Sequence, residues 1–176
     1  MGFHDESGIA EKPTVRRTWS LKGQTPIIQS TGSWKNISLL ATIICTSTGR
    51  KRKLFLKSQP GTVDKIAVIH YLKELKKHMR GKKLLLFWDG LPAHRAKMVN
   101  LLLKTQTNWL IVRRLPAYAP ELNPPEYLWS AMKAKDICNI RPNGLSALDK
   151  AVQRSYRRIK KQPDLLLGFL RASKLF

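Results

Sequence analysis

The chain has little of several things, and each scarcity narrows what it can be. Its two cysteines, Cys45 and Cys138, form no Cys-x-x-Cys pair, and its four histidines never fall into His-Glu-x-x-His. Neither a disulfide framework nor a zinc site is therefore expected. The longest apolar run, Ile37 to Cys45, is interrupted by Ser38 and Thr42 and falls far short of the roughly 20 residues a spanning helix needs. No charged leader runs into an apolar stretch, so the expectation is a cytoplasmic protein without a signal peptide. Repeats and low-complexity tracts are missing too. The scarcest class is acidic: 11 Asp and Glu stand against 33 Lys and Arg.

What is present describes a folded chain with a polyanionic partner. A length of 176 residues and 43% hydrophobic content suffice for one domain with a real core. The net charge of +22 creates a field that attracts polyanions, with nucleic acid the leading candidate. Arg50, Lys51, Arg52 and Lys53 form a run of four cations in what reads as a hairpin turn, suited either to a phosphate backbone or to plain solvation. Most of the five tryptophans, Trp19, Trp34, Trp88, Trp109 and Trp129, are expected in the core rather than stacked on bases.

Periodicity orders the elements. Gly2 to Glu6 reads as a stub of strand. Arg16 to Leu21, Ile27 to Ser30, Ile37 to Thr46 and Lys53 to Lys57 read as further strands separated by glycine turns. Residues 63 to 80 carry helical spacing, Leu84 to Trp88 is a buried strand, and 94 to 106 a helix. Trp109 to Val112 is another strand, 124 to 135 a helix, and 146 to 172 a helical tail broken at Pro163. Strands followed by alternating helices and strands imply an α/β fold with a mixed sheet flanked by helices.

In a chain this basic, the placement of carboxylates is informative. Asp89 directly follows the apolar run ending in Trp88, at the carboxyl end of a strand where open α/β sheets hold ligands; as a turn residue it would be ordinary. Asp5 closes the first strand stub, or is simply a solvated residue near a terminus. Glu126 lies three residues after Asn123, with Pro124 between them in the first helical position. That is capping-box spacing, and it leaves open whether Glu126 caps, coordinates or does both in turn. Three carboxylates converging from strand and helix ends would repel one another unless cations lay between them. Hard oxygen ligands suit Mg²⁺ or Mn²⁺, and two ions about 4 Å apart would serve an in-line phosphoryl displacement.

The segments "HDESG", "FWDGLPAHRAK" and "LPAYAPELNPPEYLW", in this order, resemble the signature blocks of the mariner-like bacterial insertion-sequence transposases, the insertion sequence 630 family. "RRTWSLKGQTP" is similar to that family as well. The resemblance implies a ribonuclease-H-like fold with a mixed five-stranded sheet, an acidic triad of Asp5, Asp89 and Glu126, and two bound Mg²⁺ or Mn²⁺ ions. Asp89 and Glu126 stand 37 positions apart, close to the family's usual interval. It also implies cleavage of DNA at the ends of a mobile element, joining of the freed 3′ hydroxyl to target DNA, and residence at the nucleoid.

On this basis residues 1–140 are expected to form the catalytic domain, with a truncated first strand, and 141–176 a helical extension on the same body. The family's N-terminal helix-turn-helix half has no counterpart here, so an upstream reading frame is its expected source and the full-length protein is expected to be a homodimer. His94, Arg95 and Lys133 are candidate DNA contacts beside the triad, with Arg50, Lys51, Arg52 and Lys53 as a second set. His94 is otherwise a packing or helix-entry residue, and Lys133 a solvated one. An inactive, non-specifically DNA-binding remnant is the alternative function, and an unrelated basic RNA-binding or structural protein a third.

Overall fold

The computed structural model describes residues 1–12, 14–27, 33–116 and 119–175. Its centre is a five-stranded sheet built from β1 (Gly2–Ala10), β2 (Asn36–Cys45), β3 (Arg52–Pro60), β4 (Leu84–Trp88) and β5 (Leu110–Arg114). The spatial order is β3-β2-β1-β4-β5. β1, β2 and β3 form an antiparallel meander, while β4 joins β1 and β5 joins β4 in parallel. The parallel pairs need crossovers. These are supplied by α1 (Lys65–Met79) and, between β4 and β5, by α2 (Pro92–Arg95) and α3 (Lys97–Thr105).

Alternation along the strands divides the core into two layers. On one face Leu39, Ala41 and Ile43 pack with Leu128, Trp129, Leu148, Val152, Ile159 and Leu170, which come from α4 (Pro124–Ala131), α5 (Gly144–Lys160) and α6 (Pro163–Ala172). On the other, Leu40, Leu84 and Leu86 pack with Val68, Leu72 and Leu75 of α1 and Val99 of α3. The helical tail thus belongs to the same hydrophobic body as the sheet. α1 has well-made ends: the Asp64 carboxylate accepts from the backbone N–H of Ile66 and Ala67 at 3.0 and 2.9 Å, and Arg80 closes the helix at φ 50°. Such caps are typically worth about 1 kcal/mol.

Four elements depart from the sequence-based expectation. β1 is no stub: it continues past Glu6, with Ser7, Gly8 and Ile9 opposite Leu39, Ser38 and Ile37. Gly8 and the polar Asp-Glu-Ser run imitate a turn, but burial of Ile9 and the β2 ladder hold them extended. Asp5 is consequently inside a central strand, not at its end. Gly2 is required there, because a Cβ would stand 3.0 Å from a Thr42 methyl and 3.1 and 3.2 Å from Leu84 and Leu86. Arg16 to Leu21 forms no strand, since no strand among the described residues pairs with it; its backbone is instead tied to Asn139, whose side chain accepts from Arg16 N–H at 2.8 Å and donates to its carbonyl at 3.0 Å. Most of the strand expected at Ile27 to Ser30 lies outside the described residues. The helix expected over 94 to 106 is two, divided at Ala96 with ψ 139°. The helix opening at Pro124 ends at Ala131, and Met132–Asp136 continues as a wider π-type turn.

Candidate active site

The register of the parallel pair brings two of the three carboxylates level. Phe3 lies beside Phe87, and Asp5 and Asp89 each follow two residues later. Asp89 lies immediately beyond β4, and Glu126 opens α4 after a 3₁₀ turn at Pro120–Leu122. All three line one cleft of about 740 Å³, together with Arg95, Arg114 and Asn123. Arg114, at the end of β5, carries no sequence signal of its own; only the sheet topology places it there.

Each carboxylate has a distinct environment. Asp5 is 6% exposed, and its Oδ2 accepts from the Trp129 indole N–H at 2.8 Å. Burial lifts its pKa from 3.8 to about 7; repulsion from Glu126 and Glu6 adds to the rise, and the Trp129 hydrogen bond opposes it. Asp89 Oδ1 accepts from Leu91 N–H at 3.1 Å and from His94 Nδ1 at 2.9 Å. Glu126 is exposed, and its carboxylate has no hydrogen-bond or ion-pair partner among the described residues. The capping box is not formed: Asn123 N–H donates to the Pro120 carbonyl at 2.9 Å, leaving nothing for Glu126 to satisfy. Asn123 Oδ1 is buried without a partner at the cleft wall.

This donor set fits a hard divalent cation. The oxygens come from carboxylates and one amide, two of the groups lack internal partners, and a cation would relieve the repulsion that adds to the burial-driven rise of Asp5.

Behind the cleft lies a second polar layer. Strand alternation turns Asp5 toward α4 and Glu6 toward the opposite face. Glu6 Oε1 meets His94 Nε2 at 2.8 Å and His4 Nε2 at 3.0 Å, while Oε2 is buried without a partner. His4 Nδ1 reaches the Ala41 carbonyl at 2.8 Å, and Thr42 links its hydroxyl to Tyr71 at 2.7 Å. Burial drives the Glu6 pKa up, but the His4 charge and hydrogen bonds from both histidines overcome it and hold the group well below the usual carboxylate range. For His94, burial pulls down while hydrogen bonds to Asp89 and Glu6 lift the pKa to about 9. No local pattern marks this layer, since Glu6 and His94 are 88 residues apart.

The candidate DNA contacts separate. Arg95 is exposed in the cleft. His94 is 2% exposed and stacked on Trp88 at 4.2 Å, so it is packed behind the cleft and not displayed in it. Lys133 Nζ donates to Ser7 Oγ at 2.7 Å, which ties the π-type turn to β1. Arg50, Lys51, Arg52 and Lys53 lie at the β2–β3 turn, at the opposite end of the strands. Arg52 is engaged there by the carbonyls of Gly49 and Pro163 at 2.6 and 2.9 Å, and Lys51 and Lys53 face a second cavity. Of the tryptophans, Trp88, Trp109 and Trp129 are buried, whereas Trp19 and Trp34 are 99% and 81% exposed.

The order of the mixed five-stranded sheet defines the fold class. A profile described as DDE superfamily endonuclease matches residues 1–144, and the chain belongs to that family. Its fold is that of the mariner transposase catalytic domain, a ribonuclease-H-like architecture. The structure is similar to the Mos1 strand transfer complex (TM-score 0.63, 18% identity, 98% of this chain and 54% of that one). It is similar also to the Mos1 mariner paired-end complex with Mn (0.62, 19%, 98% and 55%) and to the isolated Mos1 catalytic domain (0.59, 18%, 98% and 81%). The chain spans about half the length of the transposase chains in those two complexes. No curated protein matches it. Among the described residues no helix is long and apolar enough to cross a membrane.

Proposed function

We propose that this chain is the catalytic part of a transposase, which cleaves DNA at the ends of a mobile element and transfers the freed strand to target DNA with the help of divalent cations. The observation that carries this reading is the convergence of Asp5, Asp89 and Glu126 on one cleft from a central strand, a strand end and a helix start. Mos1 structures contain Mn or Mg, and two Mg²⁺ or Mn²⁺ ions are proposed here, held by those three carboxylates with Asn123 Oδ1 beside them.

When bound, the ions activate the attacking oxygen and stabilise the leaving one. The chain's own groups do the rest. Asp5, deprotonated once a cation replaces its proton, is steered by Trp129 N–H. Arg95 and Arg114 bring positive charge to the mouth, where a DNA phosphate would be held. In cleavage a water oxygen bonds to phosphorus, loses its proton to solvent, and displaces the 3′ oxygen, which is protonated as it leaves. In transfer that 3′ hydroxyl oxygen bonds to a target phosphorus, loses its proton to solvent, and displaces the target strand's own 3′ oxygen, which is protonated as it leaves. The partner is DNA, and end recognition is assigned to an N-terminal helix-turn-helix half acting in a homodimer.

The test is Mg²⁺-dependent cleavage of duplexes carrying the element's end, with the chain joined to that half. Asp89→Asn and Glu126→Gln should each reduce cleavage to background while the fold and DNA affinity persist. Full cleavage by either variant would exclude the proposed site.

A further inference from the structure

The cleft carboxylates account for Asp5, Asp89 and Glu126, but not for a buried ionic chain leading away from one of them. Asp89 has a side chain 39% exposed, whereas His94 and Glu6 behind it are 1% and 8% exposed. The line therefore runs from the cleft inward: Asp89 Oδ1 to His94 Nδ1 at 2.9 Å, and His94 Nε2 to Glu6 Oε1 at 2.8 Å. The imidazole is also fixed in plane, lying 2° from parallel to Trp88 at 4.2 Å. Oδ1 takes a further hydrogen bond from Leu91 N–H. With Oδ1 doubly engaged, Oδ2, which has no hydrogen-bond partner among the described residues, is the oxygen left for a cation.

We propose that Glu6 and His94 form a positioning brace which aims Asp89 at a divalent cation and so sets the cleft's affinity for it. This rests on the reading of the cleft as a cation site. The physical reason is that an aspartate just past a strand end can rotate about χ1 and χ2. Holding it in one rotamer before the ion arrives removes an entropic cost from binding. Carboxylate–imidazole partners of metal ligands do this elsewhere, and their loss commonly lowers affinity or activity by about 10–100-fold.

A competing use of the same residues is a transition-metal site. His4, Glu6 and His94 offer one ligand atom each, all within 4.8 Å of one another. The two nitrogens, however, approach a single oxygen at 2.8 and 3.0 Å. Those are hydrogen-bond lengths, shorter than the roughly 3.3 Å between ligands of a tetrahedral zinc with bonds near 2.0–2.1 Å. Protons between the groups satisfy this geometry.

The experiment measures Mn²⁺ binding by electron paramagnetic resonance, with thermal melting of each metal-free protein, so that no turnover is needed. His94→Asn puts an amide nitrogen near the Nδ1 position and keeps the bond to Asp89; His94→Gln puts it near Nε2 and keeps only the bond to Glu6. The expected result is about a 10–100-fold weaker Mn²⁺ affinity for His94→Gln, a smaller loss for His94→Asn, and an intermediate one for Glu6→Gln. Asp89→Asn is the control. If it binds Mn²⁺ like the unmodified chain, the cation-cleft reading itself is wrong. If it loses binding while His94→Gln does not, the reading survives and the brace is refuted. Should His94→Gln not fold, the unmodified chain still decides the matter: ¹⁵N resonances of the His94 ring should shift on Mg²⁺ addition while those of exposed His70 do not, and a silent His94 overturns the proposal. Tight stoichiometric Zn²⁺ binding that survives Asp89→Asn and disappears in His4→Gln would likewise overturn it in favour of a metal at the cluster.

Discussion

The two ends of the central strands carry opposite chemistry. At the carboxyl end of β4 and beside the middle of β1, Asp5, Asp89 and Glu126 share a cleft with two arginines at its mouth. At the amino end, a cavity of about 570 Å³ is bordered by Lys51, Lys53, Arg80, Lys82 and Lys83, with no carboxylate among its described lining residues. The net charge of +22 is thus no uniform coat. Scarce acid is focused where it repels itself, and excess base is left where no acid answers it. A difference of this kind concentrates cations at one end and polyanion backbone around the other.

The largest expected effect breaks the acidic end. Asp5→Asn removes the most buried of the three carboxylates, so Mn²⁺ binding and cleavage should both be lost. The same change should stabilise the metal-free protein. The folded-state value of Asp5, about 7, lies above its ordinary 3.8, so between those values the folded chain holds a proton that the unfolded chain has released. Stability of the metal-free protein should accordingly fall as pH rises from about 4 to about 7, by up to about 1.4 kcal/mol per unit from this group. The Asp5→Asn change would flatten that slope, and thermal melts across the range would measure it. His94 acts in the next window: its value, raised from 6.5 to about 9, contributes stability that is complete below about 6.5 and lost as pH climbs toward 9.

Trp129→Phe should have a smaller effect, and it separates two roles of one residue. The indole fills the core under α4 and donates to Asp5. Phenylalanine keeps most of the packing but removes a hydrogen bond to a charged group, worth about 1.5–3 kcal/mol. The midpoint of Mn²⁺ binding against pH should move upward by about one to two units, with little change in cleavage once Asp5 is ionised. An unmoved midpoint would show that the bond does not tune Asp5.

How far these regions are legible in the sequence follows from what each depends on. Glu126 and Asp89 are visible because strand ends and helix starts leave local marks: an apolar run, a glycine, a proline at the first helical position. Asp5 is visible as a candidate but not as the middle of a strand, since Gly8 and its polar neighbours extend only because β2 supplies the ladder. The division at Ala96 is hidden because His94, Met98, Leu101 and Leu102 keep helical spacing across it. The Glu6–His94 contact and the place of Arg114 depend on which strands adjoin, and no local pattern encodes that. Trp88, Trp109 and Trp129 enter the core, as expected of most of the tryptophans, while Trp19 and Trp34 stay exposed, because aromatic identity alone does not say which ones a sheet or helix will cover.

The smallest expected effect belongs to the basic end. Replacing Lys51, Lys53 and Lys82 with Ala should leave Mn²⁺ affinity unchanged, because these residues sit at the far end of the strands from the carboxylates. If DNA follows this surface as well as the cleft, each lost phosphate contact should make the slope of log K against log[salt] shallower by about 0.9, or by up to about 2.7 for all three. At a single moderate salt concentration the loss would be modest, so the slope is the sensitive measure. Asp89→Asn should leave that slope nearly as it was, since one charge in the cleft adds no phosphate contact. A triple variant with an unchanged slope would mean that DNA never reaches the amino end of the strands. The cations there would then keep the chain soluble without holding nucleic acid, and the phosphate contacts would have to be sought nearer Arg95 and Arg114.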